Sequence, residues 1–151
     1  MSTFASVDEI LDFAINKEQE AADFYTDLAG RVDRPWMAET FTSFARQEMG
    51  HKAKLEGVKK GQRLAPAQGK VQDLKIAEYL VDVEPAPKMD YQDALVLAMK
   101  REKAAFRLYS DLAEATDDAG LKDTFETLAQ EEARHKLKIE IEYDDRILRD
   151  N

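Results

Sequence analysis

The chain has 151 residues, 35% of them charged, with a net charge of -9 and no cysteine. So acidic a balance argues against nucleic acid or an anionic membrane as partner. The absence of cysteine excludes disulfides, thiolate zinc sites, cysteine-ligated iron–sulfur centres and cysteine nucleophiles. One domain over residues 1–151 is expected at this length, burying roughly two thirds of the surface its unfolded chain exposes. The first ten residues, MSTFASVDEI, lack a basic segment followed by an apolar core, so no signal peptide is expected. No apolar run approaches the roughly 20 residues that span a bilayer, and a cytoplasmic setting is the expectation.

Four long helices follow from periodicity and punctuation. The first starts at Ser6, where Ser6-Val7-Asp8-Glu9 has the form of a capping box, and stops near Gly30. The second opens at Pro35, a favoured first-turn residue, and is expected to close before Gly61. The third follows Asp90 and runs to about Ala115; the fourth begins near Asp117 or Asp118 and reaches about Ile147. Between helices two and three lie Pro66, Gly69, Pro85 and Pro87, with one short amphipathic candidate helix, Val71 to Leu80. Nothing shows sustained apolar alternation of the strand type, so the chain reads as all-α.

The sequence also repeats itself. Shifted by 84, Leu11, Ala14, Glu18, Ala21, Tyr25 and Leu28 fall on Leu95, Ala98, Glu102, Ala105, Tyr109 and Leu112. In the second helix of each half, Phe41, Ala45, Glu48, His51 and Lys52 fall on Phe125, Ala129, Glu132, His135 and Lys136. The chain is therefore two copies of one helical hairpin, at about 6–61 and 91–148, joined by a crossover over about 62–90. A connection that long can travel the length of the bundle, about 40 Å for a 26-residue helix. Helix three would then run parallel to helix two, a four-helix bundle with one long crossover.

Each helix carries one seam at alternating steps of three and four. Every seam is apolar except at its middle, where Glu18, Glu48, Glu102 or Glu132 stands; His51 and His135, the two histidines of the chain, follow one turn after Glu48 and Glu132. Counted from the hairpin turns, all four glutamates lie roughly 18–21 Å along their helices, so they reach one depth. Four buried carboxylates cost several kcal/mol each in desolvation, plus mutual repulsion. Partial protonation would relieve part of this, but no lysine or arginine occupies a seam position. Two divalent cations from outside would neutralise the layer. Carboxylate oxygens with imidazole nitrogens suit iron or manganese and admit zinc. A single Glu-x-x-His is common on solvated helix faces. Two copies, two further in-phase glutamates and a repeat together point to the pattern of di-iron carboxylate bundles.

The segments KEQEAADFYTDLA with FARQEMGHK, and REKAAFRLYSDLA with LAQEEARHK, resemble the ferritin-like domain of the rubrerythrin family over nearly the whole chain. The resemblance implies a non-haem di-iron oxidoreductase that reduces hydrogen peroxide or dioxygen with two iron ions per chain. Glu18 and Glu102 would be terminal ligands, Glu48 and Glu132 bridging ones, and His51 and His135 would bind one metal each. Tyr25 and Tyr109 match tyrosines beside the family's cluster, and each is expected to hydrogen-bond a ligating carboxylate rather than only pack in the core.

Three departures from that family stand out. The four-cysteine rubredoxin module is missing, so the resemblance is to rubredoxin-free members and a separate electron donor is implied. The position of a seventh ligand, a glutamate three residues after Glu102, is Ala105, beside Ala104. That makes the ligand set more symmetric, as in bacterioferritin. Met49 occupies the place of bacterioferritin's haem-ligating methionine and is read as a surface or interface residue. A homodimer is expected, with exchange of hairpins between subunits left open. A ferroxidase or iron-buffering protein, and a metal-stabilised structural bundle, stand as the alternatives.

Overall fold

A computed structural model describes residues 6–64, 85 and 87–148. Four helices make up the described chain: α1 (Val7–Ala29), α2 (Pro35–Leu64), α3 (Tyr91–Ala115) and α4 (Ala119–Tyr143), followed by a π-helical turn, Asp144–Leu148. No strand occurs among the described residues. The candidate helix Val71–Leu80 lies outside them.

Local chemistry sets the helix ends. Ser6 is extended, and its hydroxyl accepts the Glu9 amide at 3.2 Å. Asp90 and Asp118 cap α3 and α4 in the same way, accepting the amides of Asp93 and Leu121 at 2.8 and 2.9 Å. Each cap satisfies one amide that the first turn would otherwise leave orphaned, worth about 1 kcal/mol. Helix α2 differs from the sequence expectation: it passes through Gly61 and ends at Leu64. Glycine permits a helix end but does not impose one: Gly30 caps α1 with φ -80°, while Gly61 stays helical, and neither is left-handed. Within a helix a glycine only costs roughly 1 kcal/mol relative to alanine, which α2 tolerates. Helix α4 closes at Tyr143, four residues earlier than expected, because the hydrogen-bonding pattern widens into the π turn.

Two apolar clusters form the core, one at each end. The first gathers Val7, Leu11 and Ala14 of α1 with Leu55 of α2, Leu108 and Leu112 of α3, and Leu121 and Phe125 of α4. The second gathers Tyr25 and Leu28 with Phe41, Phe44, Leu95, Ala98 and Ile139. Helices α2 and α3 therefore both start in the second cluster and finish in the first, so they run parallel. The crossover must span the bundle, as expected of one long connection. Leu11, Leu28, Phe41, Leu55, Leu95 and Phe125 are all fully buried, each worth roughly 1.5–3 kcal/mol of transfer free energy. Of the seam residues, Ala21, Val58 and Ala105 remain partly exposed. Among the described residues, no helix is long and apolar enough to cross a membrane.

Candidate metal centre

Between the two apolar clusters lies a polar layer. Glu18, Glu48, Glu102 and Glu132 are at most 2% exposed, and His51 and His135 are 7% and 4% exposed. One helix contributes each carboxylate, and α2 and α4 each add a histidine one turn later. Ligand atoms of Glu18, Glu48, His51 and Glu132 lie within 4.8 Å of one another. The same holds for Glu48, Glu102, Glu132 and His135. The two sets share Glu48 and Glu132. The six residues named from the sequence thus come together, with one glutamate and one histidine particular to each set.

The histidines face the layer through Nδ1. His51 Nδ1 lies 3.1 Å from Glu18, 2.8 Å from Glu132 and 3.5 Å from Glu48. His135 Nδ1 lies 3.2 Å from Glu48 and 3.7 Å from Glu102. Their outer nitrogens are engaged elsewhere. His51 Nε2 lies 2.7 Å from a carboxylate oxygen of Glu131, and His135 Nε2 meets the amide oxygen of Gln47. A ring that donates Nε2–H outward presents the Nδ1 lone pair inward, the tautomer a metal ligand needs. The rings stack with centroids 5.7 Å apart.

The two tyrosines also reach the layer, but unequally. Tyr25 donates its hydroxyl to Glu102, across from α1 to α3. Tyr109 sits against Glu18 without completing a hydrogen bond. Each ring stacks on the equivalent phenylalanine, Tyr25 on Phe41 and Tyr109 on Phe125.

Crowding distorts the acid–base behaviour of the layer. Burial, and then the neighbouring charge of Glu48, pushes the Glu18 carboxyl well above its usual range. Burial, and then Glu102, does the same to Glu132. Glu48 ends lower than usual because burial is outweighed by contacts with His135, Glu18 and His51. Burial lowers His51, whereas at His135 burial is outweighed by Glu102 and Glu48, which lift it to about 9. Burial and adjacent carboxylates raise both tyrosines.

Despite the short approaches of Nδ1 to Glu132 and Glu48, several buried atoms make no well-aligned hydrogen bond: Glu48 Oε1, Glu102 Oε2, both oxygens of Glu132, and His135 Nδ1. Buried polar atoms are normally paired, and a lone one costs about 1–3 kcal/mol. Orphaned oxygens and an orphaned imidazole nitrogen converging on one space fit a pair of divalent cations. Beside them a cavity of about 40 Å³ lies between α1 and α3, lined by Ala21, Ala104, Ala105 and Leu108 with Lys17 and Arg101. Ala105, where the seventh ligand would stand, therefore borders open space.

Gln47 and Glu131 are the site residues that the sequence reading missed. Each lies one turn before a histidine of its own helix but serves the histidine of the other hairpin. Their equivalence under the shift of 84 was the available signal. Seam periodicity within single helices does not show such a cross-hairpin pairing.

Fold and site together define a ferritin-like four-helix bundle with a carboxylate–histidine layer at mid-height. A rubrerythrin family model matches residues 9–143, so the chain belongs to the rubrerythrin family. A hypothetical protein from Pyrococcus furiosus is 26% identical, with a TM-score of 0.68 over 92% of this chain and 89% of that one. A candidate ferritin-like diiron-carboxylate protein from Thermotoga maritima is 20% identical, with a TM-score of 0.70 over 97% of this chain and 99% of that one. That second likeness carries the fold. No curated protein matches the chain significantly.

Proposed function

We propose that the chain is a di-iron oxidoreductase of rubrerythrin type that reduces hydrogen peroxide or dioxygen. The observation that supports this most is the buried six-residue layer with its unpartnered oxygens, set beside a small cavity. Glu18 with His51, and Glu102 with His135, would each hold one metal, and Glu48 and Glu132 would be shared. An iron pair, when bound, supplies Lewis acidity and two electrons at one place.

The remaining tasks fall to the chain. With metal bound, outward donation from Nε2 to Glu131 or Gln47 would leave Nδ1 of each histidine as the ligating atom. His135, raised to about 9 without metal, would first give up its proton. The alanines lining the cavity leave room for a molecule of a few atoms beside the carboxylates. The Tyr109 hydroxyl borders the same cavity, against Glu18, and would donate a hydrogen bond to that carboxylate or to an oxygen of the substrate. Reduction of one peroxide to two waters takes two protons and two electrons. A separate electron donor and a cytoplasmic homodimer are part of the proposal.

The alanine at position 105 favours a second reading. Without a seventh carboxylate the ligand set is more symmetric, which suits a ferroxidase or iron buffer in which iron is substrate. Anaerobic metal analysis followed by peroxide titration tests both. Two irons per chain and sustained peroxide consumption with a reductant support the oxidoreductase. Iron release with accumulating ferric product would replace it with the second reading, and failure to take up iron would leave a purely structural bundle.

A further inference from the structure

The two halves of the layer are nearly superimposable in sequence, yet the groups behind them differ. The shift of 84 relates Gln47 to Glu131 and Tyr25 to Tyr109. In the Glu18–His51 half, the outer nitrogen of the imidazole meets a carboxylate at 2.7 Å, and the Tyr109 hydroxyl sits against Glu18 without a well-aligned hydrogen bond. In the Glu102–His135 half, the imidazole meets a neutral amide oxygen, and Tyr25 donates to Glu102. A carboxylate accepting from the far side of an imidazole raises its basicity toward a metal more than an amide does. A phenol donating to a carboxylate withdraws electron density from it. Both differences act in the same direction and rest on separate residues.

Building on the metal-centre reading, we infer that the two metal positions are unequal by construction. The Glu18–His51 position, backed by Glu131, is the tighter and fills first; the Glu102–His135 position, backed by Gln47, is the weaker and more readily emptied. Glu131 and Gln47 act through the histidines and are positioning residues, setting the order of filling without touching metal themselves. A centre with one retained and one exchangeable ion can keep a resident cation while the second comes and goes.

Cobalt(II) is a suitable probe, because its visible bands report coordination and it needs no oxidant. The metal-free chain is titrated anaerobically with Co(II), followed by calorimetry and visible absorbance. Repulsion between two cations sharing Glu48 and Glu132 separates the steps in any variant, so the selective movement of one step carries the test. Glu131→Gln should weaken the tight step by about tenfold or more and leave the weak step in place. Gln47→Glu should tighten the weak step by a similar factor and leave the tight one in place. A general charge effect would move both steps together in each variant, and a purely packing role would weaken both steps in both variants. Either result overturns the inference, as do unmoved steps, and all three leave the metal centre standing. Absence of cobalt uptake overturns the centre and the inference together.

Discussion

The two open sides of the bundle are built differently around the same four carboxylates. On the α1–α3 side the layer is reached through Ala21, Ala104 and Ala105, small residues that leave a cavity of about 40 Å³. On the α2–α4 side the stacked rings of His51 and His135 close the layer, and a groove outside them carries Lys54, Arg134 and Lys138. Alanine at a seam position gives up packing and leaves room; histidine fills the equivalent space and adds a ligand. On the proposed function, one side would admit a small molecule and the other would supply ligands to the centre. The overall -9 charge of the chain makes the basic groove a local exception.

Breaking the closed side should have the largest effect. Glu48 belongs to both ligand sets, so Glu48→Ala should reduce the affinity for both metals by more than about 100-fold, beyond the effect of losing a residue that only supports a ligand. His135→Ala should remove one metal and weaken the other less. The measurement is bound metal per chain after dialysis, with thermal unfolding alongside. A ligand at a hundred times its dissociation constant stabilises by about 2.7 kcal/mol, worth roughly 5–10 °C in a domain of this size. Glu48→Ala should abolish that metal-dependent rise. Wild-type occupancy in both variants would remove these residues from the ligand set.

Filling the open side comes next. Ala105→Leu would add three carbons to the cavity without replacing a ligand. Metal content should stay at the wild-type level while the second-order rate constant with hydrogen peroxide falls by about tenfold, roughly 1.4 kcal/mol. An unchanged rate would show that the substrate arrives by another route.

The pH response sharpens the comparison further. In the metal-free protein Glu18 and Glu132 are raised above the ordinary carboxylate value of 4.5, and His135 is raised from 6.5 to about 9. A raised group contributes stability that is complete below its unfolded pKa and lost as pH rises through its folded one. Glu48 and His51 are lowered, so their contributions change only below 4.5 and 6.5 respectively. From pH 6.5 to 9 the signs agree, and the melting temperature of the metal-free protein should fall. Metal takes the place of the lost protons, so the stabilisation on metal addition should widen over the same interval. A constant gap between metal-free and loaded protein would contradict the linkage.

Most of the architecture was legible because its signals are local and repeated. Caps at Ser6, Asp90 and Asp118 are single-residue chemistry, and a glutamate at the middle of each apolar seam marks the depth of the layer. Gly61 misled because a glycine permits a helix end without imposing one: Gly30 closes α1, whereas α2 continues through Gly61. Gln47 and Glu131 escaped notice because their partners lie 88 and 80 positions away, on the other hairpin. Their meaning depends on which way α2 and α4 face each other. The alanines at 21 and 105 were read as seam residues or as a missing ligand. That they border open space depends on the spacing of α1 and α3.

The smallest expected effect concerns the two tyrosines. Tyr25 donates to Glu102, whereas Tyr109 leaves its hydroxyl unpaired beside the cavity. Tyr25→Phe removes a buried donor and leaves one oxygen of Glu102 unpaired in the metal-free protein, a loss of about 1–3 kcal/mol. Once metal is bound, that oxygen has a cation as an alternative partner, so the penalty should shrink and metal content should change little. Tyr109→Phe removes a buried hydroxyl that makes no well-aligned hydrogen bond and should leave the metal-free melting temperature unchanged or slightly higher. The two variants, alike in chemistry and related by the repeat, should therefore separate in metal-free stability and converge in metal content. Equal destabilisation by both would mean that Tyr109 is bonded as firmly as Tyr25, and the asymmetry of the hydrogen bonds would be lost.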